Sequence, residues 1–87
     1  MTYEIILSRK AQKFVNKLNR YDRTTVERIL LALSIEPRPR NCIKLTGSDL
    51  YRVKVGNRYR IMYSIHDKQL IVEVVDVGPR ENFYKDV

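Results

Sequence analysis

The chain is poor in several residue types, and each shortage excludes something. It has one cysteine, Cys42, and one histidine, His66. A lone thiol closes no internal disulfide and builds no cysteine-rich zinc site, and it suits a reducing cytoplasm. Three glycines and three prolines exclude collagen-like and low-complexity chains. The richest apolar run, residues 29–35, falls far below the ~20 residues of a membrane span. The start, Met1-Thr2-Tyr3-Glu4, lacks the basic and apolar regions of a signal peptide. Acid is scarce as well: 10 Asp and Glu stand against 17 Lys and Arg, for a net charge of +7. The expectation is a soluble cytoplasmic protein, without a membrane partner, drawn to an anionic one.

What is present is a folded globule. Forty-four per cent of its 87 residues are hydrophobic, which suits one domain over residues 1–87. A chain of this length buries only ~60–65% of its unfolded surface, so the core is thin. Residues 3–7 are β-prone. Ser8 is placed to cap a helix whose apolar stripe is Ala11, Phe14, Val15 and Leu18, at i, i+3, i+4 and i+7. Asn19 and Arg20 suggest its stop, and Asp22 is the next candidate cap. Val26, Ile29, Leu30 and Leu33 repeat the spacing, with Leu31 and Ile35 widening the stripe. Pro37 and Pro39 end it. Two amphipathic helices on a short link make an antiparallel hairpin.

From Cys42 the period becomes two. Residues 42–45 are a short segment, and residues 50–55, 58–65 and 69–77 read as strands. The tail, residues 80–87, is short enough for one helical turn. The fold class is therefore α+β: an N-terminal strand, a helical hairpin, and an antiparallel meander of three to four strands covered on one face by the helices.

Turn length sets the register of the meander. A two-residue turn at Gly56-Asn57 would pair Val53 with Arg60 and mix charge into the apolar face. A three-residue loop, Gly56-Asn57-Arg58, pairs Val55 with Tyr59 and Val53 with Ile61, and burial selects it. Lys54 then lies opposite Arg60, with Arg52 opposite Met62. Like charges placed so cost a few tenths to ~1 kcal/mol, and residues 50–65 contain no acid. An anion relieves such a cluster. A four-residue loop, residues 66–69, pairs Tyr63 with Val72 and Ile61 with Val74, which brings Glu73 to the outward face as a countercharge. Arg80 follows the last strand, and Tyr84 follows it at helical spacing. Lys10, Lys13, Lys17, Arg20 and Arg23 read as a solvated helix face able to meet RNA phosphates.

Lys44-Leu45-Thr46-Gly47, Leu50-Tyr51-Arg52-Val53-Lys54-Val55, Tyr59-Arg60-Ile61-Met62-Tyr63 and Val77-Gly78-Pro79-Arg80, with Tyr84 behind, form an ordered set. The set resembles the RelE/ParE superfamily of toxin–antitoxin toxins, and within it the RelE-like ribonucleases, over nearly the whole chain. The resemblance implies an endoribonuclease that cuts mRNA in the ribosomal A site, using the substrate's 2′-hydroxyl and no metal or other cofactor. It also implies a cognate antitoxin and a hetero-oligomer with it. The family's active residues fall on Arg52, Lys54, Arg60, Arg80 and Tyr84, for catalysis and RNA binding alike; Phe83 is the alternative stacking residue.

Cleavage beside a 2′-hydroxyl needs a base, stabilisation of phosphate charge and an acid for the leaving 5′-oxygen. His66 sits in a turn remote from the cluster, and no carboxylate pair or metal-ligand spacing is present. Lys54 is the ionisable base of the cationic face, since arginine does not release its proton. Arg52 and Arg60 suit the scissile phosphate, Arg80 the developing charge, and Tyr84 stacking or proton transfer. The competing reading is a ParE-like toxin that inhibits DNA gyrase without nuclease action. A plain nucleic-acid-binding module is a third, but no helix-turn-helix or aromatic-rich RNA-binding strand pattern supports it.

Overall fold

The structure is a computed structural model that describes residues 2–80. In chain order it contains β1 (Glu4–Leu7), α1 (Arg9–Lys17), α2 (Arg20–Ile35), β2 (Ile43–Lys44), β3 (Tyr51–Val55), β4 (Tyr59–His66) and β5 (Ile71–Pro79). The α+β meander is as expected. The sheet has five strands in the order β1-β5-β4-β3-β2. It is mixed, because β1 adds in parallel to β5.

Ser8 caps α1, its Oγ accepting from the Ala11 N–H at 3.0 Å. The second cap is Asn19, whose Oδ1 accepts from the Asp22 N–H at 2.8 Å. Asp22 thus lies inside the first turn of α2, where a carboxylate complements the helix dipole. The link between the helices is only Leu18 and Asn19, since α1 stops at Lys17. Arg23 is not a solvated cation: it donates to the carbonyls of Val15, Asn16 and Leu18 and satisfies the orphan acceptors at the end of α1.

The helices cover one sheet face. Ala11, Val15, Val26, Leu30 and Leu33 meet Val53, Val55, Ile61, Tyr63, Val72, Val74 and Val77, all buried. Leu31 and Ile35 do not widen the buried stripe; they are 66% and 65% exposed. Tyr63 is fully buried and donates its hydroxyl to the Pro37 carbonyl at 2.8 Å. Burial, with Cys42 beside it, raises its pKa.

The three-residue loop gives the expected β3–β4 register: Val55 opposite Tyr59, Val53 opposite Ile61, Lys54 opposite Arg60 and Arg52 opposite Met62. The β4–β5 register differs from expectation by two residues. His66 faces Ile71, Ile65 faces Val72 and Tyr63 faces Val74, so the loop is residues 67–70. Two features fix it there. Asp67 accepts both Arg38 guanidinium nitrogens, at 3.2 and 2.8 Å, and the Tyr3 hydroxyl at 2.6 Å. Leu70 takes a left-handed conformation, φ 56°, which ends the turn.

A β-bulge follows. Tyr63 faces Val74 but Met62 faces Asp76, leaving Val75 as the extra residue. Without it Asp76 would face Ile61 and enter the core. With it, Val77 takes that buried place and Asp76 turns to the opposite face. Ser8 Oγ donates to the Val75 carbonyl at 2.9 Å, so one serine holds both the start of α1 and the bulge.

Candidate functional site

The sheet face away from the helices carries Arg52 and Lys54 on β3 and Arg60 on β4. Lys54 and Arg60 are direct cross-strand partners, and Arg52 lies two residues along the same face. Their exposures differ. Lys54 is exposed, whereas Arg52 and Arg60 are 9% and 6% exposed. The cluster is therefore not an evenly solvated surface. It is one accessible ammonium beside two nearly buried guanidinium groups.

Burying a guanidinium calls for a partner. Glu73 does not supply it, because the shifted register carries it to Ser64 and His66. Asp76 does. Its Oδ2 accepts from Arg60 Nη2 at 2.8 Å, and its Oδ1 lies 3.7 Å from Lys10 Nζ. Lys10 reaches that far because β1 ends opposite Val74 and the start of α1 lies beside the rest of β5. Asp76 was not among the residues the sequence singled out. Its signal is a change of phase: apolar residues sit at the even positions Val72 and Val74, then at the odd positions Val75 and Val77, which marks a bulge.

Arg60 lies flat across the sheet over Gly78, its partner on β5. A Cβ at Gly78 would stand 3.0 Å from Nη1 and 3.4 Å from Cζ. Glycine is needed here for close approach, since the backbone angle is an ordinary one. Arg60 Nε and Nη1 are buried and make no hydrogen bond among the described residues. Buried donors of this kind carry a desolvation penalty of ~1–3 kcal/mol each that an incoming acceptor relieves.

Arg80 follows Pro79 at the end of β5, and its backbone N–H donates to the Arg58 carbonyl at 2.9 Å. The structure thus brings Arg52, Lys54 and Arg60 onto one face and holds the Arg80 backbone beside the β3–β4 turn. Tyr84 and Phe83 lie outside the described residues. His66 sits at the far end of β4, with its Nε2 3.3 Å from Glu73 Oε1.

A second feature supports the turn from beneath. Asp22, 5% exposed, accepts the Tyr59 hydroxyl at 2.7 Å and lies 3.3 Å from Arg58 Nη1. The hydrogen bond to Asp22, with burial, raises the Tyr59 pKa and keeps the phenol protonated. The Tyr59 ring meets Phe14 edge-on at 5.9 Å, so the turn is fastened to both helices. A cavity of about 570 Å³ opens beside α1, between Phe14, Val77 and the cations Arg9, Lys10, Lys13 and Lys17.

Two helices over a mixed five-stranded sheet of this order, with a cationic face built on β3 and β4, is the RelE-like toxin fold. The sequence-family model described as ParE toxin of type II toxin–antitoxin system, parDE, matches residues 5–84. A chain of the archaeal RelE–RelB complex from Pyrococcus horikoshii is 30% identical, with 92% of this chain and 97% of that chain covered and a TM-score of 0.80. A mutant Escherichia coli RelE toxin in the free state is also 30% identical, covering 94% and 87% at a TM-score of 0.78. A RelBE toxin–antitoxin complex from Mycobacterium tuberculosis shares the fold at a TM-score of 0.81 with 24% identity, covering 92% and 100%. No curated protein matches the chain. The chain belongs to the RelE/ParE superfamily and is a toxin of a toxin–antitoxin system.

Proposed function

We propose that this toxin is an endoribonuclease that cleaves mRNA in the ribosomal A site, in the cytoplasm, through the substrate's own 2′-hydroxyl. The observation that carries the reading is the pairing of exposed Lys54 with a nearly buried Arg60 across β3 and β4. Lys54, the exposed amine of the face, takes the 2′-hydroxyl proton as general base. Arg60, oriented by Asp76 and Gly78, presents its guanidinium to the scissile phosphate, and Arg52 adds charge beside it. Arg80 stabilises the leaving 5′-oxygen. Tyr84 stacks on a base or passes on the proton. No metal ion is assigned a role.

The partner is a cognate antitoxin, held in a hetero-oligomer. The solved relatives include a RelE–RelB complex and a RelBE toxin–antitoxin complex. An acidic, amphipathic antitoxin segment suits the cationic face and the exposed Leu31 and Ile35 on α2.

The family match itself favours a second reading, a gyrase inhibitor of the ParE branch. Growth arrest on expression, an mRNA cleavage assay on translating ribosomes and a gyrase supercoiling assay separate the two. The ribonuclease reading expects cleavage by the wild type, unaltered supercoiling, and loss of arrest in Lys54→Ala and Arg60→Ala. Inhibited supercoiling without mRNA cleavage overturns it.

A further inference from the structure

The β3–β4 turn and the end of β5 enclose a separate cavity of about 310 Å³, lined by Asn57, Arg58, Tyr59, Pro79 and Arg80. This lies at the small end of the ~300–1,000 Å³ range of ligand clefts. Its walls are firmly joined: Tyr59 and Pro79 are cross-strand partners, and the Arg80 N–H donates to the Arg58 carbonyl. Arg58 had no part in the sequence-based site.

Arg58 is both oriented and accessible. Its Cζ lies 5.4 Å from the Tyr59 ring centroid, and its Nη1 reaches the Asp22 carboxylate at 3.3–3.4 Å. Its side chain is nonetheless 68% exposed. Asp22 neutralises it incompletely. That carboxylate is recessed, and its shortest side-chain bond, 2.7 Å, is to the Tyr59 hydroxyl. The opening therefore presents a preorganised guanidinium and the Asn57 amide, which can donate and accept at once. A fork for phosphate, a planar cation for base stacking and an amide for a base edge suit one unpaired nucleotide.

We propose that this cavity holds an unpaired nucleotide of single-stranded RNA, with Arg58 as its anchor. The inference rests on the ribonuclease reading, and its test is independent of cleavage. The probe is a short fluorescent single-stranded RNA carrying 2′-O-methyl groups, which this chemistry does not cut. Binding is read by anisotropy across a salt series for the wild type, Arg58→Ala, Arg58→Lys and Asp22→Asn, with a thermal melt of each.

Arg58→Ala is expected to weaken binding about tenfold and to reduce the slope of log K against log salt by ~0.7, the value for one lost phosphate contact on a single strand. Arg58→Lys restores the slope. Asp22→Asn removes the carboxylate that orients Arg58, so it is expected to lower the melting temperature and to weaken binding by less than Arg58→Ala, with the slope kept. Three results overturn the inference: no binding by the wild type, equal binding of a DNA duplex, or an Arg58→Ala variant with unchanged affinity and slope. Intact natural mRNA in the cleavage assay would instead count against the ribonuclease reading, whatever the anisotropy gives.

Discussion

Arg60 on β4 and Asp76 on β5 share a 2.8 Å hydrogen-bonded ion pair on the sheet face away from the helices, two residues off direct register. The pair explains how a thin-cored domain keeps Lys54 opposite a nearly buried arginine. Asp76 offsets the repulsion and leaves Lys54 exposed. The face is thus a charged site with an internal counterion.

Asp76→Asn keeps the shape and removes the counterion. Arg60 is then a largely buried charge with a weak partner, and loss of a fully buried partner costs ~3–5 kcal/mol. Asp76 retains 19% side-chain exposure, so a smaller loss of about 2–3 kcal/mol is expected. Urea denaturation measures it. mRNA cleavage should fall about tenfold, because an unheld guanidinium is a poorer phosphate clamp.

Gly78→Ala tests the flat placement of Arg60. The added methyl stands 3.0 Å from Nη1 and tilts the guanidinium off the sheet. Cleavage should drop by about the factor seen for Asp76→Asn, with a stability change under ~1 kcal/mol, since the guanidinium can move toward solvent. Unchanged cleavage would mean that the position of the fork does not matter.

Ser8→Ala and Asn19→Ala both remove helix caps, each worth ~1 kcal/mol. Only Ser8 also holds the bulge through the Val75 carbonyl. Both variants should unfold at lower urea. Only Ser8→Ala should also lower mRNA cleavage, because the bulge is what aims Asp76 at Arg60.

Asp67 gives the fold a dependence on acid. Hydrogen bonds from Arg38 and Tyr3 lower its carboxyl to about 2, against ~3.9 when unfolded. A depressed folded pKa stabilises above the unfolded value, so its contribution is full above about pH 4 and fades as pH falls toward 2. Asp67→Ala should melt below the wild type at pH 6, and the gap should close by about pH 2. A gap of constant size across that window would contradict the assignment.

The legible parts of the fold were those decided by burial over short distances. The β3–β4 register followed from one loop length and one rule, that charge stays out of the core, and it grouped Arg52, Lys54 and Arg60 correctly. The β4–β5 register did not follow, because its anchors are remote in sequence: Arg38 and Tyr3 hold Asp67 across 29 and 64 positions. Two neighbouring cap candidates, Asn19 and Asp22, could not be ranked by type alone. Asp76 was missed because only the bulge turns it outward, and Arg58 because its role depends on a carboxylate 36 positions away. Leu31 and Ile35 show the reverse error: apolar at plausible spacing, yet facing solvent.

The parallel pairing of β1 with β5 joins the first strand to the last of the sheet. Everything between them must therefore leave the ribosome before the sheet can close. Contacts so distant in sequence form late, and Asp76, Gly78 and Arg80 all ride on or just beyond the strand that arrives last. A nascent toxin accordingly has Lys54 before it has the parts that orient Arg60.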